Sequence, residues 1–220
     1  MPKKNIRLLV GRPLIAYTIE TALQCKLIDK VIVSTDDEEI AAISREYGAE
    51  VPFMRPAELA SDTTPMLPVL QHAVSYLEEK GISVGIVVIL DLTSPFRKVL
   101  DIENCIKKLK NENADSVVTV CEVEHNPYFV MMEFKGDNLV PLLKTKKPIT
   151  RRQDAPKVYR LNAAVYAVKR DVLMNENKIF TENTRGVIMP QERSVHIDHQ
   201  LDFEFAEFLM KYRRINDDSY

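Results

Sequence analysis

The alternation of two residue patterns along the chain is the feature that most constrains its fold. Apolar residues recur at helical spacing in residues 13–26, 36–49, 66–79, 99–112 and 201–214. Runs typical of strands occupy residues 30–35, 84–92, 115–124 and 194–198, and a basic loop enters a further strand within 151–168. This alternation predicts an α/β protein with a mainly parallel sheet. The run VGIVVILDL, residues 84–92, predicts the most buried strand.

The sequence predicts one domain, although its length would also allow two small ones. The 220 residues should bury about 70% of their unfolded surface on folding, enough for a substantial core. No repeat, linker or low-complexity segment divides the sequence. We expect residues 125–190 to leave the main sheet as a lobe or a dimer arm, with a hairpin around Gly136 and Asp137.

Composition excludes several classes of protein. The 30 Lys and Arg residues against 32 Asp and Glu residues give a net charge of −2, so nothing global favours nucleic acid or a membrane surface. The three cysteines, Cys25, Cys105 and Cys121, form no CxxC pair, and we expect reduced, buried thiols. No apolar run approaches the roughly 18 residues that cross a membrane. We therefore expect a cytoplasmic protein.

Four polar clusters are candidates for a site, because ligands of open α/β sheets bind beyond the carboxyl ends of strands. The first stands at a loop-to-helix junction near the start of the chain and comprises Lys3, Lys4, Asn5, Arg7 and Arg12. These cations and this amide suit a triphosphate. A solvated basic segment is the alternative, and composition alone favours it.

The second cluster follows the most apolar strand. Asp91, Thr93 and Ser94 bring a carboxylate and two hydroxyls to the strand end, and Arg97 can reach an anion or hold the loop. A helix N-cap with a surface arginine is an equally good interpretation.

The third cluster lies in the basic stretch RRQDAPKVYRLNAAVY. It comprises Arg151, Arg152, Lys157, Arg160, Asn162 and Tyr166. A solvated loop would explain the charges. It would not explain why Arg160 and Asn162 interrupt an apolar alternation, where buried polar groups need partners.

The fourth cluster is RSVHID. Strand alternation would place His196 and Asp198 on one face and turn Val195 and Ile197 to the core. This spacing suits two ligands of a divalent metal or of its water, and Mg²⁺ is favoured over Zn²⁺ because no cysteine is near. Helix capping is the alternative for Asp198, and the preferred interpretation for His199 and Asp202.

At these residues the chain closely resembles the cytidylyltransferases that activate nonulosonic acids. These are the CMP-N-acetylneuraminate synthetases (acylneuraminate cytidylyltransferases) and their CMP-legionaminate and CMP-pseudaminate relatives. The matching motifs span essentially the whole chain: PKKN, VIVSTDDEEIA, YGAEVPFMRPAELASD, LTSPFR, RRQDAPKVYRLNAAVY and ERSVHIDHQLDFEFAEFLM. The resemblance implies a Rossmann-like three-layer α/β/α sandwich, the nucleotide-diphospho-sugar transferase fold, with residues 125–190 as a protruding dimerisation and sugar-binding segment.

The resemblance also implies a reaction, in which the anomeric hydroxyl of a nine-carbon keto-sugar acid attacks the α-phosphate of CTP. It implies Mg²⁺ as cofactor, held by Asp198 and His196, and a homodimer in the cytoplasm. The implied nucleotide-binding residues are Lys4, Asn5, Arg55, Asp91, Thr93, Ser94 and Arg97. The implied substrate-binding residues are Arg152, Arg160, Asn162 and Tyr166, with Arg152 and Asp198 as catalytic residues.

The chain departs from the family pattern in three places. Asp91 replaces a glutamine of the sialate enzymes, and with HNPYF at 125–129 this favours the legionaminate-like branch. His196 replaces an aspartate, which removes one negative charge from the metal site. A first strand and a Gly-rich ARGGSKG-like loop do not precede PKKN. We expect their absence to leave backbone groups of 30–35 and 84–92 unpaired unless the sheet closes up.

Two alternatives to this activity remain open. One is an N-terminally truncated, catalytically impaired remnant that serves as a binding or dimerisation partner. The other is a nucleotidyltransferase for another activated sugar, such as the keto-deoxy-octulosonate branch, against which the whole-chain match argues.

Overall fold

The computed structural model describes residues 3–61, 63–145 and 149–217, with side chains up to residue 212 of the last helix. The strands are β1 (Leu8–Leu9), β2 (Arg12–Pro13), β3 (Ile86–Ile89), β4 (Ser116–Glu122), β5 (Met132–Lys135), β6 (Asn138–Pro141), β7 (Tyr159–Lys169) and β8 (Thr184–Ile188). The α-helices are α1 (Leu14–Leu23), α2 (Glu38–Glu46), α3 (Met66–Glu79), α4 (Val99–Asn111), α5 (Arg170–Met174) and α6 (Gln200–Asp217). All five helices predicted from apolar spacing are present.

The central sheet has four strands in the order β3-β7-β4-β8. Strand β7 runs antiparallel to both of its neighbours, and only β4 and β8 pair in parallel. The α/β class is therefore confirmed, but the sheet is mixed and not mainly parallel. Apolar runs do not encode strand direction. The chain returns from the β5–β6 hairpin and enters the middle of the sheet in the reverse sense.

Helices cover both faces of this sheet, which gives the expected three layers. On one face, Ile106 of α4 shares a buried cluster with Val117 and Val165. On the other face, Val74 of α3 and α5 pack with Val168. Burial of apolar side chains on both faces supplies most of the driving force for this arrangement.

Strand β7 bends at a bulge near the candidate site described below. Its register against β4 shifts between Val118 and Val120, so four residues of β7 lie opposite Thr119. Ala163 within this bulge has a φ of 54°, a conformation that residues with a Cβ seldom adopt. Bulges of this kind redirect side chains next to active sites.

Residues 30–35 do not form the predicted strand. Val31 and Val33 exchange backbone hydrogen bonds with Glu50, at 2.8 and 2.9 Å. Among the described residues, strand β3 pairs with β7 and with no other strand, and it is half-buried, not the most buried strand. The sheet does not close up, and a cavity of about 700 Å³ separates the two segments. The backbone groups of alternate β3 residues face this cavity, because an antiparallel ladder uses every second residue.

Residues 194–198 also differ from the prediction of a strand. They follow a 3₁₀ turn, Gln191–Arg193, and pair with no strand among the described residues. The predicted alternation still holds at Ile197, which is fully buried and donates its N–H to the Thr93 carbonyl at 2.9 Å.

The β5–β6 hairpin forms around Gly136 and Asp137 as predicted. The expected excursion over 125–190 is narrower, however, because β7 and β8 belong to the central sheet. The three cysteines are free and buried, as expected. Within the described ranges, none of the helices combines the length and apolarity needed to cross a membrane.

Candidate functional site

Three segments meet beyond the carboxyl end of β3. They are the loop 90–97, the extended segment 194–198 and the turn Lys4–Ile6 near the start of the chain. The turn reaches the second segment through Lys4, whose ammonium donates to the Ile197 carbonyl at 2.8 Å. Ile197 in turn bonds to Thr93 of the loop. The site therefore lies beyond the carboxyl end of β3 and brings together residues of the first, second and fourth sequence clusters.

The loop after β3 is ordered by its own side chains. The Asp91 carboxylate accepts hydrogen bonds from the N–H and the hydroxyl of Thr93, at 3.0 and 2.6 Å. This is the turn that aspartate favours when its side chain bonds the backbone two residues on. The Ser94 hydroxyl donates to the Asn162 carbonyl of β7 at 3.1 Å, which fixes the loop against the sheet.

Arg97 stabilises this loop from inside. Its side chain is buried, and its guanidinium donates to the carbonyls of Asp91 and Ser94. Burial lowers the pKa of Arg97 to about 10. The guanidinium is withdrawn from the surface, and the contact of Arg97 with the nucleotide stays a prediction. Its holding of the loop, the other prediction made for it, is confirmed.

His196 and Asp198 form the polar centre of the site. His196 Nε2 lies 3.2 Å from Asp198 Oδ1, and the Thr93 hydroxyl lies 3.0 Å from Nδ1 of the same ring. The Lys4 ammonium is 3.6 Å from Asp198 Oδ1. The Asp198 side chain remains 56% exposed. The arrangement thus offers one cation for an anionic ligand, and an imidazole and a carboxylate for a metal ion or its water.

Tyr166 faces the same loop from β7. Burial, and then the charge of Asp91, raise the pKa of Tyr166, which keeps its hydroxyl protonated at neutral pH. The ring packs edge-to-face against Phe180, with centroids 6.1 Å apart. Tyr166 can therefore donate a hydrogen bond near Asp91.

Asn162 is placed differently from the prediction. It is 1% exposed, its amide donates to Ser194 Oγ at 2.9 Å, and its oxygen accepts from Thr119 Oγ1 at 2.6 Å. Its oxygen also lies 3.3 Å from the Ala164 N–H inside the bulge. Its amide groups are engaged in the core, so a direct bond from Asn162 to the substrate, which stays a prediction, would require one of these contacts to be exchanged. It shapes the strand that carries Arg160 and Tyr166.

The arginines of the third cluster separate into two groups. Arg160 donates to the Ser194 carbonyl at 3.1 Å and stays exposed beside segment 194–198. Arg152 bonds the Glu124 carbonyl, and it lines a second cavity, of about 440 Å³, together with Gln191. The structure therefore brings Arg160 next to the site, while Arg152 is bonded outside the His196 centre.

The remaining predicted cations hold the scaffold. Arg55 bonds the carbonyl and hydroxyl of Ser34, at the end of the 30–35 segment. Lys3 pairs with Glu39 of α2, and Asn5 lies half-buried in the turn beside Lys4. Arg7 bonds Gln200 and lies over the Phe203 ring, and Arg12 pairs with Glu20. Of the first cluster, Lys4 alone makes a described contact to the His196 centre.

Sequence reasoning missed one buried ion pair behind the site. Asp101, at the start of α4, accepts hydrogen bonds from Arg193 at 2.8 and 3.2 Å. Acidic residues in a first helical turn are common, so Asp101 gave no signal of a tertiary partner. Ser194 was missed for a similar reason, because its buried hydroxyl matters only through Asn162 and the Pro190 carbonyl.

Comparison with known proteins is consistent across sequence and structure. The family profile described as Cytidylyltransferase matches residues 1–219. A Campylobacter coli protein named post-translational flagellin modification protein B is 36% identical over 96% of this chain and 90% of its own length. The CMP-N,N′-diacetyllegionaminic acid synthase of Campylobacter jejuni is also 36% identical, over 97% and 90%.

Among solved structures, a CMP:2-keto-3-deoxy-manno-octonic acid synthetase complexed with CTP has a TM-score of 0.70 at 18% identity. It covers 97% of this chain and 93% of that one. This likeness concerns the fold alone. Together with the family match over nearly every residue, and with the site at the expected sheet edge, the comparisons settle the classification: the chain belongs to the cytidylyltransferase family.

Proposed function

We propose that this protein transfers CMP from CTP to a nonulosonic acid of the legionaminic type and releases pyrophosphate. The observation that carries the proposal is the meeting of Lys4, Asp198, His196 and Thr93 at the carboxyl end of β3 in a chain of this family. Asp91, which departs from the glutamine of sialate enzymes, favours the legionaminic type. The three free, buried thiols support a cytoplasmic location, which we also propose.

The reaction needs little covalent work from the protein. The anomeric oxygen bonds to the α-phosphorus, the bond from that phosphorus to the bridging oxygen breaks, and the hydroxyl proton passes to solvent. Positioning and neutralisation of phosphate charge supply the catalysis in such transfers. Lys4 supplies a cation for the phosphates, and the Asp91–Thr93 turn would form the surface against which the nucleotide binds.

The residues present fit a magnesium ion. In the part of the chain that the structure describes, no three or more His, Cys, Asp and Glu side chains converge. The protein thus offers the Asp198 carboxylate as a direct ligand and the adjacent His196 ring as a partner for a metal-bound water, and Mg²⁺ is commonly bound through one or two carboxylates, with phosphates and water completing its shell. The exposed Asp198 carboxylate suits this sharing. When bound, the ion would neutralise phosphate charge.

The sugar acid needs a partner for its carboxylate. Arg160 is exposed beside segment 194–198, and its planar guanidinium suits a carboxylate. Tyr166 adds a protonated hydroxyl near Asp91. Arg152 would assist only if it exchanged its bond to Glu124 for one to a ligand.

A pyrophosphate-release assay tests the proposal. Purified protein with CTP and Mg²⁺ is offered legionaminic, neuraminic and pseudaminic acids in parallel. We expect turnover with CTP and the fastest rate with the legionaminic acid. No pyrophosphate with any acid would reject the proposed activity and favour the non-catalytic alternative.

Substitution of Asp198 tests the metal assignment. We expect Asp198→Asn to remove Mg²⁺-dependent activity while circular dichroism and melting temperature stay unchanged. Glu79→Gln, at the exposed end of α3, serves as the matched control and should keep full activity. Unchanged activity in Asp198→Asn would move the metal site elsewhere.

We also propose that the β5–β6 hairpin forms a homodimer contact. The hairpin exposes large apolar side chains, among them Phe134 at 74% and Leu139 at 53%, and clustered exposed apolar surface commonly marks an interface. Light scattering should give a dimer for the unmodified protein and a monomer for Phe134→Ser. Phe208→Ser, on exposed α6, is the control. A monomeric unmodified protein would reject the proposal.

A further inference from the structure

The site is assembled from two halves that are far apart in sequence. Thr93 and Ser94 belong to the loop between β3 and α4, whereas His196 and Asp198 belong to the segment after β8. Three described contacts join the halves directly: the Ile197 N–H to the Thr93 carbonyl, and the two hydroxyls to the His196 ring. Something must fix the distance between these segments for the contacts to hold.

Asp101 is bonded to both halves. Its carboxylate accepts from the Lys98 N–H at 2.8 Å, directly after the loop. It also takes the forked pair of hydrogen bonds from Arg193, which begins the segment that leads to His196. The Asp101 side chain is 3% exposed and that of Arg193 21%. A forked, buried pair of this kind has a well-defined geometry, unlike a solvated ion pair.

The direct neighbours of Arg193 carry this geometry into the site. The residue after it, Ser194, is fully buried, bonds Asn162 through its hydroxyl, and accepts from Arg160 through its carbonyl. His196 follows two residues later. The residues between Arg193 and His196 are therefore held in place, and a displacement of Arg193 should also displace the His196 imidazole.

We propose that Arg193, held by Asp101, is a positioning residue that sets His196 against Thr93. Its role in turnover rests on the function proposed above, but its effect on the His196 ring does not. Neither side chain makes a described contact to the His196 ring. Loss of the forked pair should shift the His196 segment relative to the loop, and a displacement of about 1 Å can cost up to 100-fold in rate.

The chain offers a matched control pair. Arg170 of α5 makes a forked pair with Glu78 of α3, at 2.8 and 2.9 Å. This pair also joins two segments distant in sequence, but it ties helices on one face of the sheet, and neither residue bonds to a segment of the site. Arg170→Met and Arg193→Met therefore remove the same kind of interaction at two places.

The experiment has a spectroscopic arm on the full chain without metal or nucleotide. Ring ¹H–¹⁵N spectra are recorded for the unmodified protein, Arg193→Met, Arg193→Lys and Arg170→Met, with His196→Gln to assign the signal. We expect Arg193→Met to shift the His196 signals while those of His72 stay in place. Arg193→Lys, which keeps the charge but not the fork, should shift them less, and Arg170→Met should leave them unchanged.

The kinetic arm uses CTP and the best acid from the panel. We expect kcat/KM to fall about 10- to 100-fold in Arg193→Met, carried mainly by kcat, with partial recovery in Arg193→Lys. Should Arg193→Met not fold, Arg193→Gln and Arg193→Lys carry the same comparison. Unshifted His196 signals in a folded Arg193 variant, or equal shifts in Arg170→Met, would overturn the proposal. Absence of turnover in the unmodified protein rejects only the proposed function.

Discussion

Replacement of Asn162 by leucine distinguishes a structural role of this residue from a substrate-binding role. The side chain is 1% exposed and sits in the β7 bulge, where it bonds Ser194, Thr119 and Ala164. Leucine has a similar size but can neither donate nor accept. The perturbation therefore removes the polar contacts with little change in volume.

The expected cost follows from the individual partners. The bonds to Ser194 Oγ and Thr119 Oγ1 contribute about 0.5–1.5 kcal/mol each. The Ala164 N–H loses an acceptor in a buried position, which costs about 1–3 kcal/mol. Ser194 keeps the Pro190 carbonyl as an acceptor and Thr119 keeps that of Val165, so their hydroxyls add no full penalty. Asn162→Leu should lower the free energy of unfolding by about 3 kcal/mol.

Urea denaturation followed by circular dichroism measures this change. Arg160→Leu, two residues earlier on the same strand, is the control, and we expect its unfolding free energy to change by less than about 1 kcal/mol. The KM for the sugar acid should rise in Arg160→Leu. The reasoning is refuted if Asn162→Leu is as stable as the unmodified protein and raises only the KM, since Asn162 would then bind the substrate.

Three further predictions concern stability and reactivity. The hydrogen bond from Arg170 lowers the pKa of Glu78 below its usual 4.5. The contribution of this pair to the free energy of unfolding is therefore complete above pH 4.5 and declines as the pH falls through the lowered pKa. The melting temperatures of the unmodified protein and of Glu78→Gln should converge in acid, and a constant difference between them would contradict this. Ala73 of α3 lines the cavity beside β3. Ala73→Leu should raise the free energy of unfolding by about 1–2 kcal/mol, because the larger side chain buries more apolar surface in this cavity. A lower free energy of unfolding would show that the space is already filled. Burial raises the pKa of Cys105 to about 12, and Cys25 and Cys121 are buried as well. A thiol reagent should therefore react with all three cysteines only in denaturant, and rapid reaction of the native protein would disprove this prediction.

Local patterns predicted most of the secondary structure correctly. The helices followed from apolar spacing, and the structure adds local caps such as Asp37, which accepts from two N–H groups at the start of α2. The hairpin around Gly136 followed from turn chemistry. These features depend on residues close in sequence, so the sequence carries them explicitly.

The strand assignments were less reliable where pairing decided the outcome. Residues 30–35 have the composition of a strand, yet a strand needs neighbouring strands, and in the described part of the chain this segment makes only an isolated bridge, between Ile32 and Glu50. The direction of β7 likewise depends on how the chain returns after the hairpin. No residue pattern within β7 encodes that return.

For the candidate site, sequence by itself determined which chemical groups were available and that Asp91 and Thr93 follow the strand that became β3. The fold then brought Lys4, His196 and Asp198 to the carboxyl end of β3. Only the tertiary structure decided which of the other polar residues face a ligand. Arg97 and Asn162 are buried and bond to protein groups, because a buried polar group must find its partners within the protein. The pairing of Asp101 with Arg193, 92 residues apart, is likewise a product of the fold, because it requires α4 and the segment after β8 to pack side by side.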